Sequence, residues 1–369
     1  MRLLGACCTS PLLLYVLGAL RRRWTAGTEP GRHIFGALLL SVCLWGGCAN
    51  EKRTSEVTLS RPEQMAIHNR AQDLLLLAAR SDLDVVSCNA IEALVQVAPR
   101  DGTPIFRQAI RSASPPVRYA GYVALGQLRD RDSLDALMAG VKDVHPLVRL
   151  AAAFAACRCG KDGYARVLVD ALRDAPEEHL RAEAATLLGR LEEPRATKWL
   201  RAAARMTVNE KSNRVTLAID GALARLGDDD GRRQLVFFSR GDTASRTEAL
   251  LILAELDHQP VREDLLFALA GPEEEYLEAR LIAARGLGKL GYRDGYDLAI
   301  RMLAYTDANP APTPDNPDRT FPIRSLAAHA LAEIGDPRAI APLRDLAASQ
   351  QDPRLQVAAS YAICRILSR

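Results

Sequence analysis

Six histidines and eight cysteines are the residues of this 369-residue chain best suited to bind a metal or act as nucleophiles. Their spacing does not assemble a site. The histidines are followed by Ile34, Asn69, Pro146, Leu180, Gln259 and Ala330, and no two stand at the i, i+4 separation with which a helix offers two ligands to one ion. Cys157 and Cys159 are two apart, which on a helix turns them about 200° from each other, so they read as small buried thiols. The run GLGKLG at 286–291 has the glycines of a phosphate cradle, yet it lies in a helical stretch where glycine takes small-residue positions. No nucleophile elbow appears. The expectation is a chain with no metal, no cofactor and no catalytic residue, hence not an enzyme.

The elements that would have to position any site are helices. Alanine and leucine dominate, aromatic residues make up only 5%, and few Val/Ile/Thr alternations could form strands. A hydrophobic content of 48% with 25% charge describes a folded chain. The formal charge of +3 is misleading, because residues 1–48 carry five arginines against Glu29, and removing that net +4 leaves the body at −1. A body without a basic footprint argues against nucleic acid as partner. Cys88, Cys157, Cys159 and Cys364 are too scattered to form a disulfide framework.

The chain repeats itself. Apolar anchors at Leu94, Leu125, Ala156, Leu188, Leu223, Leu253, Leu287, Leu331 and Ile363 are spaced by 31, 31, 32, 35, 30, 34, 44 and 32 residues. Such a period marks helix pairs, each unable to bury its apolar face alone. Four places before the anchor the residue is small in eight of nine repeats, which lets neighbouring helices approach closely. Seven places before it stands an arginine in six: Arg118, Arg149, Arg181, Arg246, Arg280 and Arg324. The 44-residue step contains TDANPAPTPDNPDRTFP at 306–322, whose five prolines predict an inserted loop.

The units VRYAGYVALGQLRD, LRAEAATLLGRLEE and IRSLAAHALAEIGD resemble HEAT repeats, especially the short, lyase-type variety with Val-Arg opening the second helix. The resemblance covers about residues 61–367. It implies an all-α, right-handed superhelical solenoid of about nine helix-turn-helix repeats, a long curved rod with a surface free for docking. It implies a structural role for the six arginines, in hydrogen bonds between stacked repeats. Di-iron hydroxylases of this fold use repeated His-Glu dipeptides as ligands, and none occurs here. Phycobilin lyase subunits resemble the same short repeat, but an exported chain would not meet their cytoplasmic substrates.

In HEAT families the second helices line the concave surface. Two places after the anchor stand Arg158, Arg190, Arg225 and Lys289, and one turn earlier Phe154, Arg285 and Tyr361. Mixed charge with aromatic side chains suits a protein or peptide partner. Cations near helix C-termini also stabilise the macrodipole by ~0.3–1 kcal/mol with no partner at all.

Residues 1–47 read as a leader, with Arg21–Arg23 and Arg32 ahead of an apolar run from Ile34 to Trp45. That run is short of the ~20 residues a spanning helix needs. Gly46-Gly47-Cys48 resembles the lipobox of bacterial lipoproteins, although Leu44 stands one place too early for its aliphatic position. The resemblance implies acylation of Cys48 and anchoring in the lipid bilayer. With no aspartate at Ala49, the outer membrane is favoured within the bacterial cell envelope. Residues 48–60 then form the lipidated cysteine and a polar tether, and 61–369 the solenoid. The main functional expectation is a non-catalytic scaffold or adaptor for other proteins. The alternative is an enzyme of unrecognised type, or a lyase- or chaperone-like HEAT protein acting on another protein.

Overall fold

Helices begin where a residue can close the first turn cheaply. Proline, whose missing N–H is no loss there, opens helices at Pro99, Pro115, Pro146 and Pro353. Elsewhere a carboxylate caps the exposed amides: Asp228 accepts from Asp230 and Gly231 N–H, both at 3.0 Å. Gly335, at φ 73°, closes one helix in the left-handed conformation that suits glycine.

The computed structural model describes residues 59–241, 243–256, 261–271, 276–308, 313, 318–349 and 352–369. Among them are nineteen α-helices and no strand. The first helix of each pair lies outside: α1 (Arg61–Ala78), α3 (Pro99–Ala109), α5 (Leu134–Gly140), α7 (Ala165–Asp174), α9 (Arg195–Ala204), α12 (Asp229–Ser239), α14 (Arg262–Leu269), α16 (Tyr296–Met302) and α18 (Ile340–Ala348). The second helices form the inner wall: α2 (Asp84–Val97), α4 (Pro115–Leu128), α6 (Pro146–Arg158), α8 (Glu178–Arg190), α11 (Asn213–Arg225), α13 (Thr243–Glu255), α15 (Leu277–Lys289), α17 (Thr320–Ile334) and α19 (Pro353–Leu367). The short α10 (Thr207–Glu210) is an extra turn in the 35-residue repeat.

All nine anchors are buried, none above 5% exposure. Each large one contributes ~1.5–3 kcal/mol over leaving it in water. The small position after the anchor sets the helix separation: a Cβ on Gly189 would sit 2.6 Å from Ala222 Cα, and one on Gly288 2.6 Å from the Ile334 amide nitrogen.

Each inner helix packs on the next, and α19 packs on both α1 and α2. The solenoid therefore closes on itself. Tyr361 Oη donates to Gln96 Oε1 at 2.9 Å across 265 residues, and Cys364 Sγ faces the His68 carbonyl at 3.8 Å. This corrects the expectation of an open rod with a free concave face. The pairwise stacking read from the repeats is present, but the small rotation at each step sums until the first and last repeats meet.

The six repeated arginines hold the turns. Arg118 Nη1 donates to the Ser112 and Ala113 carbonyls, both at 2.9 Å, and Nε and Nη2 grip both oxygens of Asp143 in the next repeat. Arg149 binds the Asp143 and Val144 carbonyls, and Arg181 those of Ala175 and Pro176 plus Asn209 Oδ1 at 2.9 Å. Arg246, Arg280 and Arg324 donate to Gly241, Leu269 and Tyr305 carbonyls. Most of these bonds lie within a repeat; Asp143 and Asn209 carry the link to the next one. Where the fifth anchor lacks its arginine, buried Asn209 donates to the Ala203 carbonyl at 2.9 Å and takes over the task.

The proline-rich insertion ends earlier than its prolines suggest. Thr320, Phe321 and Pro322 already belong to α17, since proline is tolerated in a first turn. The Asp307 carboxylate accepts the Arg319 N–H at 2.8 Å, and Arg319 Nε and Nη2 grip Glu278 at 2.7 and 2.5 Å, tying the loop's base to α15. Residues 309–312 and 314–317 of the loop, the leader at 1–47 and Cys48 lie outside the described residues. No helix among the described residues is long and apolar enough to cross a membrane.

Candidate functional site in the ring interior

Closure brings together side chains that stand far apart in the chain. On α15, the Arg285 guanidinium lies with Nη2 2.5 Å from Glu255 Oε1 of α13, and Lys289, one turn on, donates to the Glu255 carbonyl at 3.0 Å. On α19, Tyr361 Oη is shared between Gln96 Oε1 of α2 and Glu333 Oε1 of α17, the latter at 3.1 Å. Glu333 also receives Arg369 Nη2 at 2.8 Å and Arg365 Nη2 at 3.4 Å. His329 of α17 lies against the Tyr361 ring, centroids 5.1 Å apart. On the opposite wall Tyr119 of α4 donates to Glu183 Oε1 of α8 at 2.5 Å, reaching past the intervening helix.

Burial decides the protonation states. Burial pushes His329 down to about 3, with the Arg285 charge adding to it, so its imidazole is neutral near pH 7. Burial also drives the Tyr361 hydroxyl well above its ordinary range, reinforced by Glu333, so it keeps its proton. For Glu255, burial alone would raise the pKa, but Arg285, Lys289 and Arg225 outweigh it and hold the carboxylate charged. Arg285 likewise stays charged against burial because Glu255 faces it, with Tyr361, Glu333 and Glu92 nearby. The interior thus offers a fixed cation beside a neutral imidazole, while Tyr361 gives its proton to Gln96 and Glu333. Such a set can bind an acceptor-rich group and hand it a hydrogen bond, the ordinary equipment of a polar active site.

Of the residues expected at a partner surface, Phe154, Arg285 and Tyr361 are buried at 1, 6 and 2% exposure. Arg190 lies over the Phe154 ring, 5.7 Å from its centroid. Arg158 donates to Glu192 at 2.8 Å and to the Leu191 carbonyl at 3.3 Å. Arg225 is half-buried, and its charge reaches both Glu192 and Glu255. These cations and Lys289 therefore share one end of the ring, at the C-termini of parallel inner helices. The structure joins Arg285, Lys289 and Tyr361 around Glu255 and Glu333, while Arg158 pairs with Glu192 outside that cluster.

Gln96 and Glu333 stand two places after their anchors and His329 one turn earlier, on the polar line read from the spacing, whereas Tyr119 and Glu183 were passed over as site candidates. Glu183 carried a signal: it stands five before the anchor, where most repeats have alanine, leucine or isoleucine. A carboxylate in an apolar register position needs a partner, and Tyr119 supplies it.

Iron does not fit this interior. No group of three or more His, Cys, Asp or Glu side chains among the described residues is placed to hold a metal ion. His329 is the one histidine of the cluster, and Glu255 and Glu333 are both engaged by cations.

The profile of HEAT repeats matches residues 71–157 and 139–224, and the PBS lyase HEAT-like repeat matches 323–349. Deoxyhypusine hydroxylase-B of Oryza sativa subsp. japonica is 27% identical over 260 residues, covering 69% of this chain and 78% of that protein. Among solved structures, the complex of CpcE and CpcF of phycocyanin lyase from Nostoc sp. PCC7120 aligns at TM-score 0.38 and 21% identity, over 69% of this chain and 91% of that one. Human deoxyhypusine hydroxylase aligns at 0.36 and 16%, over 83% and 98%.

The expectation that the chain is not an enzyme is overturned by the match to a hydroxylase along more than two thirds of its length. That expectation rested on missing dipeptide motifs and on a polar line facing solvent. Ring closure instead gathers titratable groups from repeats hundreds of residues apart, an arrangement that local motifs do not record. The profile matches, the helix-pair period and the repeated turn-holding arginines together place the chain among the HEAT-repeat proteins.

Proposed function

We propose that this protein acts on another protein, in an enzymatic or lyase-like role, with the ring interior around Arg285 as its site. The observation that carries the reading is the convergence of Arg285, His329, Glu333 and Tyr361 from three inner helices behind a cationic mouth. The name of the rice relative, a hydroxylase, supports a catalytic role. Because the interior does not gather metal ligands, the reading includes no iron-dependent step. The protein partner would meet the mouth at Arg158, Arg190, Arg225 and Lys289.

The leader and Cys48 add a location to this reading: an acylated chain held at the bacterial cell envelope, its ring carried on the polar tether that precedes α1. Palmitate labelling of the wild type and of Cys48→Ala tests the anchor, and equal label in both would contradict it.

The functional test compares intact masses of envelope proteins from cells with the gene deleted, restored, or restored as Arg285→Lys. At least one protein should change mass with the gene and lose that change in the variant. Identical spectra in all three would overturn the reading.

A further inference from the structure

The inner wall holds a cation whose hydrogen-bonding capacity the fold does not use. A guanidinium has five N–H donors and cannot give up its charge. In Arg285, at 6% exposure, Nη2 faces Glu255, while Nε and Nη1 have no hydrogen-bond partner. Three N–H donors thus remain on either side of the nitrogen bound to Glu255. His329 Nε2 close by is also without a partner, as is Arg365 Nε. Buried polar groups are normally satisfied, and leaving them bare is costly. Arg181, as deeply buried as Arg285, is satisfied by three acceptors.

Charge selects the ligand. With Arg285 itself, Lys289, Arg225 and the two arginines on Glu333, Arg365 and Arg369, make five cations against Glu92, Glu255 and Glu333, so cations exceed carboxylates by two. Neutral His329 adds no charge to that balance. An incoming amine would face this excess; an incoming carboxylate would neutralise it and accept from the vacant donors. A carboxylate also has the planar geometry that suits guanidinium N–H groups.

We propose that the ring mouth binds an acidic segment of a protein partner, one of whose carboxylates enters beside Arg285 and accepts from Nε or Nη1. Arg225 and Lys289 steer the rest of the segment from the rim. This rests on the reading of the ring interior as the site where another protein is engaged, and it names the chemistry of what enters.

The test is fluorescence anisotropy of labelled octaglutamate with the full chain in detergent, with octalysine and a phosphoserine peptide of equal charge alongside. Octaglutamate should bind, more tightly at low salt. Arg285→Lys keeps the charge but loses the planar donors and should weaken binding about tenfold. The pair Arg225→Gln and Lys289→Gln leaves Arg285 in place and should weaken binding about threefold, with a shallower salt dependence. Octalysine preferred over octaglutamate, phosphopeptide binding without octaglutamate binding, or wild-type affinity in both variants would each overturn the proposal. Should Arg285→Lys fail to fold, the rim pair decides alone. Octaglutamate binding in a chain that alters no envelope protein would leave this inference standing and the functional reading refuted.

Discussion

Arg181 and Arg285 are both buried, both on inner helices and both charged, yet the fold treats them in opposite ways. Arg181 sits seven before its anchor, and every bond it makes closes a turn or links two repeats. Arg285 sits two before its anchor and holds one carboxylate while most of its donors point at nothing in the chain. A cation supplied with acceptors is part of the wall. A cation left with vacant donors at the same depth costs stability, and in the proposal above a partner's carboxylate offsets it.

That contrast is broken most directly at Arg181. Arg181→Ala strands the Ala175 and Pro176 carbonyls and the Asn209 side chain in the interior, and should lower unfolding free energy by about 3 kcal/mol in urea titrations. Arg285→Lys should cost much less, because Glu255 keeps a cationic partner.

Acid titration sharpens the comparison. His329, lowered to about 3, binds its proton more readily unfolded, so its contribution is full above pH 6.5 and is lost as pH falls from there towards 3. Asp220, pushed up to about 7 by burial and by Asp228, has the opposite sign: its contribution is full below pH 3.8 and is lost as pH rises towards 7. Each slope is about 1.4 kcal/mol per pH unit, so the two nearly cancel between pH 4 and 6.5. Asp220→Asn should expose a stability that falls with acid across that window, and His329→Gln one that rises. Unchanged profiles in both variants would contradict the buried states assigned to them.

Smaller effects test the wall and the seam. Gly189→Ala places a Cβ 2.6 Å from Ala222 Cα and should cost about 1–3 kcal/mol, read as a shifted denaturation midpoint. Tyr361→Phe deletes the hydroxyl shared by Gln96 and Glu333 and should cost about 0.5–1.5 kcal/mol.

Much of this wall was legible in residue spacing. The anchors and the small positions that let α8 and α11 touch recur every 30 to 44 residues, with an arginine at six of the nine, and each reports on a contact made by its own repeat or the next. Closure was not legible. It is the sum of eight small rotations, and no single residue encodes it; Gln96 and Tyr361 show no sign of each other across 265 positions. The polar line two after each anchor could be read, but its direction could not. Expected to be an exposed docking strip, it lies at the mouth of a closed ring, with Phe154 and Tyr361 buried and Glu255 and Glu333 answering the cations. The turn-holding role of Asn209 also escaped notice, because a shifted repeat moved it out of register with the arginines it replaces.

The account depends above all on the first and last repeats meeting around the Arg285 cluster. Spin labels at Met65 on α1 and Ser368 just after α19, introduced as non-natural residues to leave the cysteines alone, measure this by pulsed dipolar spectroscopy. His68, one turn from Met65, approaches Ser368 Oγ to 3.5 Å. Closure predicts one narrow distribution below about 25 Å, since side chains one helical turn apart lie close together. An open solenoid, with eight steps of about 10 Å between inner helices, would instead give a broad distribution far beyond that, and would contradict the account.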